Sequence, residues 1–306
     1  MAALLRSRID TAIVHEPARR SVTRESVAAP ARNHSLLQRR TPFTNRWVTL
    51  AALALLAGCS GDSADAPGQG IGRRRSSPGA IELTSVTYRP GELRVAGTIV
   101  GTVEVDGDPP ADSVVTTTSD QAFCGSTLPD SSIIRRGSRL ANVVVWLADV
   151  KEGKRLPVER RTEIINDHCQ LDPRVQAVVA GTTVNVRNED RLSHTTWFTR
   201  ADNNDSLATI PLTDDGQVVP NEHIAAKSGL VAVRCAQHPW TRGYIAVFEN
   251  PYFAVTDTTG TFRLDSVPSG KYRLRAWHER ARREMETAVE VTAATESKVE
   301  LKFRLR

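Results

Sequence analysis

The sequence predicts an all-β fold built from sandwiches of short strands. Aromatic residues make up only 5% of the 306 residues, whereas β-branched residues are frequent, and this composition favours strands over helices. Short apolar stretches recur at even spacing between positions 162 and 247, with turn signals at Gly181, Asn188 and Gly229 between them. Such spacing is typical of a β-sandwich, and the length indicates two domains.

The net charge of +5 is concentrated at the start of the chain. Residues 1–59 contain nine of the 40 basic residues and three of the 35 acidic ones, so positions 60–306 hold 31 basic and 32 acidic residues. Because the body of the chain is nearly balanced, we expect no nucleic-acid partner.

The region 1–59 ends in a stretch that resembles a bacterial secretion signal, whereas residues 1–45 suggest no function. Arg46 precedes an apolar run of 11 residues from Val48 to Gly58, which is too short to span a bilayer and has the length of a signal-peptide core. The Leu-Ala-Gly-Cys sequence that ends at Cys59 resembles the lipobox of bacterial lipoproteins. It implies cleavage before Cys59, lipidation of its thiol and anchoring to a membrane of the cell envelope, facing the periplasm or the outside. The alternative is an ordinary secretory signal with a chance cysteine.

Residues 60–90 are rich in Gly, Ser, Ala, Asp and Pro and cannot bury a core, which predicts a flexible tether. The triplet Arg73–Arg75 inside it is either a solvated part of the linker or a contact for anionic lipid headgroups.

Strand signals begin after Gly91. The stretch LRVAGTIVGTVEVDG is rich in Val, Ile and Thr and ends at Gly107, and VVTTT from Val114 is a second strand. The stretch from Arg139 to Val150 is nearly continuous in apolar character, which predicts a strand buried on both faces. The charged stretch Lys151–Arg161 predicts an exposed loop.

Three cysteines follow Cys59 in the chain. Cys235 lies in a loop suited to a metal, so in an oxidising compartment Cys124 and Cys169 are left to form a disulfide. The alternative is a second metal site at His168 and Cys169, but adjacent strand residues point to opposite faces and make poor ligand spacing.

The stretch VAVRCAQHPWTRGYIAV, from Val231 to Val247, predicts two strands joined by a short loop. Cys235 and His238 on one tight loop can face a single point, and a thiolate with imidazoles suits copper or zinc. His194 is the expected third ligand, although it could instead be a hydrogen-bonded strand histidine. His223 is the rival ligand and is expected on a surface loop.

Two motifs in this part resemble the amicyanin-type cupredoxins. One is Cys235, two residues, His238-Pro239, an aromatic residue and Arg-Gly; the other is VVAGTTVNVRNEDRLSH, which ends at His194. The resemblance covers positions 163–250 and implies a Greek-key sandwich at 153–249. It also implies a type 1-like copper site with the ligands His194, Cys235 and His238. The family has a weak axial Met at the position of Thr241.

The C-terminal part resembles the carboxypeptidase-regulatory-like module, a transthyretin-like sandwich. The matching residues are Thr256-Asp257, Gly260-Thr261-Phe262, Val267-Pro268 and Gly270-Lys271-Tyr272. That family opens with strands like those at 98–147. We therefore expect a sandwich split into 91–152 and 250–306, with the cupredoxin-like part inserted, and we expect the strand at 139–149 to share this sandwich with strands 261–264 and 271–276. His278 and Glu279 are expected as a polar strand end, with metal ligation as the alternative.

These features together favour a membrane-anchored copper protein that exchanges electrons with an unidentified redox partner protein. The alternative is a metal-free, lipid-anchored module with a carbohydrate-binding-like fold and a decayed copper site, which the missing axial Met favours. A free cysteine in an oxidising compartment speaks against that alternative. An enzyme is not expected, because the sequence has no nucleophile motif and no paired acids near a glycine-rich turn.

Overall fold

The computed structural model describes residues 87–305 except 93–94, 108–110 and 112. The signal region, Cys59, the Arg73–Arg75 triplet and most of the linker lie outside the described residues. Within them nearly all regular structure is strand, and the helix α1, Gln121–Cys124, has four residues, so the predicted all-β class is confirmed. The described part of the chain contains no helix with the length and apolar character needed to cross a membrane.

The strands of the described residues are numbered in chain order. The first eight are β1 Arg89–Pro90, β2 Ala96–Val105, β3 Val114–Thr116, β4 Thr127–Pro129, β5 Arg135–Arg136, β6 Arg139–Leu140, β7 Val144–Leu147 and β8 Glu152–Gly153. The next nine are β9 Arg161–Asp167, β10 Gln170–Asp172, β11 Val175–Val179, β12 Thr182–Asn188, β13 His194–Arg200, β14 Ser206–Leu212, β15 Val218–Ala225, β16 Gly229–Cys235 and β17 Arg242–Phe248. The last five are β18 Phe253–Val255, β19 Thr261–Pro268, β20 Gly270–Trp277, β21 Met285–Val291 and β22 Glu296–Phe303.

Strands β9 to β17 form the central sandwich. One sheet has the order β10-β9-β12-β15 and the other the order β11-β17-β16-β13-β14. In β12 every second residue is buried, as expected for a strand with one face on a core. The inward residues of both sheets meet in one apolar cluster that includes Val186, Phe198 and Ile245.

The composite sandwich combines strands from before and after the central one. Its sheets have the orders β18-β7-β20-β21 and β19-β2-β6-β5, with β22 paired to β2. Strand β7 pairs with β20, so that Trp146 lies opposite Arg275, and Leu147 shares a core with Leu264 and Leu274. The expectation that the strand at 139–149 joins the C-terminal strands in one sandwich is confirmed.

The two sandwiches pack against each other through one sheet of each. All four residues of β7 are buried, because Val145 and Leu147 face the composite core while Val144 and Trp146 pack in a second cluster with Phe248 and other residues of the central sandwich. The Trp146 and Phe248 ring centroids are 5.6 Å apart. The prediction of a strand buried on both faces is thereby confirmed for Val144–Leu147. The predicted strand is shorter than expected, because the backbone between β6 and β7 turns at Asn142, φ 58°, and the two strands lie in different sheets.

The structure departs from the sequence-based expectations in several places. Strand β1, at the end of the predicted tether, pairs with β8 inside the predicted exposed loop 151–161, where Gly153 is buried. Strands β10, β14 and β15 were not expected. His278 and Glu279 do not form an exposed strand end, because His278 is 0% exposed and the Glu279 carboxylate makes a buried ion pair with Arg174, Nε to Oε1 2.6 Å. That ion pair joins the two sandwiches, which explains why a polar pair of residues is buried there.

Candidate metal centre

Two paired strands and one tight loop bring three metal-binding side chains together. His194 opens β13 and Cys235 closes β16, and these antiparallel strands are neighbours, with Thr196 opposite Cys235. His238 lies in the loop between β16 and β17, which is closed by a hydrogen bond from the Thr241 N–H to the His238 carbonyl, 2.8 Å. Since β16 and β17 are also paired, the loop returns His238 to the end of the sheet beside Cys235.

The three donor atoms form a nearly equilateral triangle. The Cys235 Sγ lies 3.4 Å from His194 Nδ1 and 3.6 Å from His238 Nδ1, and the two Nδ1 atoms are 3.1 Å apart. The circle through three atoms with these separations has a radius of about 2.0 Å, which is close to the metal–nitrogen distances of 2.0–2.1 Å in protein sites and about 0.3 Å below the metal–sulfur distance of about 2.3 Å. The three donor atoms lie within 4.8 Å of one another, close enough for all three to contact one metal ion.

The centre is closed to water. His194 is 1% exposed, His238 0% and Cys235 4%. Cys235 is the free cysteine of the described residues, since Cys124 and Cys169 form a disulfide, with their Cα atoms 5.7 Å apart. The predicted disulfide is confirmed.

A carboxylate contacts the outer nitrogen, Nε2, of each imidazole. His194 Nε2 lies 3.0 Å from Asp190 Oδ2, and His238 Nε2 lies 3.0 Å from Asp120 Oδ2. A carboxylate accepts a hydrogen, so each Nε2 carries a proton and each Nδ1 is the ring nitrogen directed at the centre. Carboxylate–histidine pairs of this kind commonly orient metal ligands.

Asp190 is also the point where the centre is tied to the turn between β9 and β10. Its two oxygens accept the backbone N–H groups of His168, 2.7 Å, and Cys169, 3.0 Å. Both turn residues have positive φ, 48° and 59°, as a two-residue hairpin turn requires. The carboxylate therefore stabilises a strained turn and orients a ligand at the same time.

Hydrogen bonding within the centre outweighs burial in setting its ionisation. Burial lowers the pKa of His194, but bonding to Asp190 and to Cys235 raises that pKa to about 9. Burial raises the pKa of the Cys235 thiol, but bonding to both histidines and to the backbone N–H of His238 lowers that pKa to about 6. The metal-free centre therefore favours a thiolate, the form that binds metals.

Thr241 is buried next to the loop. Its hydroxyl donates to the Cys169 carbonyl, 2.6 Å, and the Trp240 indole N–H donates to the same oxygen, 3.1 Å. The loop is thereby fixed to the disulfide region, and the axial role of Thr241 stays a prediction.

The alternative ligands lie elsewhere. His223 is exposed on β15, on a strand rather than in a loop. The His168 side chain is 87% exposed and contacts Asp167, and Cys169 is in the disulfide. None of these three residues belongs to the cluster of metal-binding groups found among the described residues.

The donor set fits copper. One thiolate and two imidazoles in a trigonal arrangement are the ligands of blue-copper electron-transfer sites. A structural zinc site would require a fourth strong ligand, and the group that the described residues form has three members.

Sequence reasoning missed both outer carboxylates. Asp190 was inside a quoted motif, four residues before His194, so its spacing offered a local signal. Asp120 is separated from His238 by 118 residues, and no local pattern connects the two.

Solved structures that are similar to part of this chain include cupredoxins. A purple cupredoxin from Nitrosopumilus maritimus shares 24% identity over 28% of this chain and 98% of its own, with a TM-score of 0.25. A copper(I) form of an amicyanin variant shares 17% identity over 30% of this chain and 96% of its own, with a TM-score of 0.25.

A copper-containing nitrite reductase from Thermus scotoductus shares 21% identity, with a TM-score of 0.26. The match covers 34% of this chain but only 25% of the reductase. Neither a protein-family model nor a curated protein sequence matches the chain.

Proposed function

We propose that the protein binds one copper ion through His194, Cys235 and His238 and acts as an electron carrier rather than as an enzyme. The observation that carries this proposal is the triangle of two Nδ1 atoms and one Sγ atom, whose centre is about 2.0 Å from each of them. Copper bound to one thiolate and two imidazoles supplies one-electron redox chemistry.

The chain contributes a rigid and dry set of donors. Asp190 and Asp120 hold the two imidazole rings with Nδ1 inward. Both Nδ1 atoms and the Cys235 sulfur face one point. A copper ion bound there would displace the Nδ1 proton that the raised pKa of His194 retains in the metal-free centre. Because the donors are fixed by the fold before a metal binds, a change in oxidation state requires little rearrangement of the protein.

Thr241 is assigned to the axial side, where the family resemblance places it. Its hydroxyl hydrogen is engaged by the Cys169 carbonyl, which leaves only oxygen lone pairs for a metal. Because the Cys169 carbonyl holds this hydroxyl, we expect the hydroxyl to donate little to a copper ion, and the oxidised state would then be less stabilised than it would be by an axial Met.

We place this carrier at a membrane of the bacterial cell envelope, anchored by lipid on Cys59 through the 60–90 tether. The Leu-Ala-Gly-Cys sequence supports this placement, as does the disulfide, because disulfides persist in oxidising compartments. A redox partner protein would then meet the carrier at the same membrane.

Titration of the purified full chain with Cu(II) tests the proposal. We expect one equivalent to produce an intense visible thiolate-to-copper absorption band, which a reductant bleaches and an oxidant restores. Cys235→Ser should lack the band, whereas His223→Ala, a control at an exposed histidine, should keep it. Absence of the band and of stoichiometric binding in the wild-type chain would refute the proposal and favour the metal-free binding module.

A further inference from the structure

The carboxylates that contact His194 and His238 come from different parts of the fold. Asp190 belongs to the central sandwich and its side chain is 1% exposed, whereas the Asp120 side chain is 42% exposed. Asp120 lies in the segment 117–125, which connects β3 to β4 and contains α1. This segment, here called the clamp, precedes the central sandwich by more than thirty residues, so one metal ligand is oriented from outside the domain that contains it.

The clamp has its own internal framework. The Gln121 Nε2 donates to the Thr117 carbonyl, 2.7 Å, and the Phe123 and Cys124 N–H groups donate to the Asp120 carbonyl, each 2.9 Å. Asp120 itself has a positive φ of 49°, a strained conformation of the kind that clusters at functional sites. The fold therefore holds this carboxylate in a defined direction.

Two connections attach the clamp to the metal centre besides Asp120. The Ser119 hydroxyl donates to the carbonyl of Gln237, the residue before His238, at 2.9 Å. The Cys124–Cys169 disulfide attaches the other end, and the Cys169 carbonyl in turn accepts from Trp240 and Thr241 of the metal loop. The clamp therefore contacts the loop directly at Gln237 and His238 and is linked to Trp240 and Thr241 through Cys169.

We propose that Asp120 is a positioning residue for the metal centre and that the clamp, through it, keeps His238 buried with Nδ1 directed at the metal. This proposal rests on the copper-binding function proposed above. Without the carboxylate, the His238 ring loses the partner of Nε2 and is free to rotate away from Cys235. Metal retention would then depend on a segment outside the central sandwich.

The first test compares copper affinity by competition with a chelator in the full chain. We expect Asp120→Ala to weaken binding 10- to 100-fold, the range found for outer partners of metal ligands, and to shift the visible band and the redox potential. Asp120→Asn keeps an oxygen that accepts from Nε2 and should restore most of the affinity. Asp265→Asn, at a 55% exposed carboxylate paired with Arg263, is the matched control and should have no effect.

The second test needs no metal. In the metal-free chain, Asp120→Ala should speed hydrogen exchange several-fold at the loop residues 236–241 and leave β12 unchanged. Unchanged exchange at this loop, or a copper affinity of Asp120→Ala within threefold of wild type, would overturn the proposal. If wild type binds no copper, the proposed function fails, and hydrogen exchange still decides whether Asp120 positions His238.

Discussion

The central and composite sandwiches each bury histidine, but in opposite surroundings. In the central sandwich, His194 and His238 lie beside the Cys235 sulfur, and the outer nitrogen of each faces a carboxylate. In the composite sandwich, His278 is as fully buried, but its Nδ1 accepts the backbone N–H of Arg280, 3.2 Å. Its Nε2 has no hydrogen-bond partner within the described part of the chain.

Because of these different surroundings, the pKa values of His194 and His278 shift in opposite directions. Hydrogen bonds to Asp190 and Cys235 overcome burial and raise the pKa of His194 to about 9. Burial, together with the guanidinium groups of Arg174 and Arg280, lowers the pKa of His278 to about 4. Burial alone therefore does not make a histidine a ligand; an outer carboxylate and a converging second donor do.

Removing one histidine from each sandwich should distinguish a metal ligand from a buried histidine that binds no metal, and we expect this to be the largest effect. We expect His238→Ala to lower copper affinity more than about 1,000-fold, about 4 kcal/mol, because one of three donors is lost. His278→Leu should leave the affinity within about threefold, since its ring contacts no metal-binding donor. Competition with a chromogenic chelator measures both, and equal losses would contradict the assignment.

The Cys124–Cys169 disulfide joins the segment before β7 to the central sandwich, and we expect it to stabilise the fold. Cys124 and Cys169 are separated by 45 residues, so Cys124→Ala/Cys169→Ala should lower the free energy of unfolding by about 4 kcal/mol on the chain-entropy model. Urea denaturation measures this loss. A reductant should destabilise wild type similarly and leave the double variant unchanged; the account fails if the two proteins respond alike.

Acid should act on the composite sandwich through His278. Its folded pKa of about 4 lies below the unfolded value of 6.5, so its contribution to stability is complete above pH 6.5 and is lost as the pH falls toward 4. The expected loss is roughly 3 kcal/mol. In His278→Leu the free energy of unfolding between pH 7 and 4.5 should fall correspondingly less, and identical slopes would exclude this role.

The smallest effect is expected at Thr241. Thr241→Val removes the hydroxyl that donates to the Cys169 carbonyl and should lower the free energy of unfolding by about 1 kcal/mol, while copper binding persists. Thr241→Met should lower the redox potential and also preserve binding. If the wild-type chain binds no copper and the Thr241→Met variant does, the natural site is a decayed one.

The sequence predicted the parts of the site that have local patterns. Cys235 and His238 share one loop, and the disulfide followed from the number of cysteines and the compartment. The pairing of β7 with the C-terminal strands followed from the resemblance of residues 98–147 and 256–272 to two parts of one module. Each of these inferences needed only a short motif or a count of residues.

The rest depends on contacts between distant segments. Asp120 reaches His238 across 118 residues, and Arg174 pairs with Glu279 across 105, so no periodicity or motif reveals either. The burial of His278 was missed for the same reason, because a polar stretch after a strand ordinarily faces water, and only the packing of two sandwiches covers it.

X-ray absorption at the copper edge of the metal-loaded full chain tests the central claim most directly. We expect one sulfur at about 2.3 Å and two nitrogens at about 2.0 Å, by comparison with metal–thiolate and metal–imidazole distances in protein sites. Cys235→Ser should lose the sulfur, and His278→Leu should retain the wild-type spectrum. A copper site without a sulfur neighbour in the wild-type chain would contradict the account.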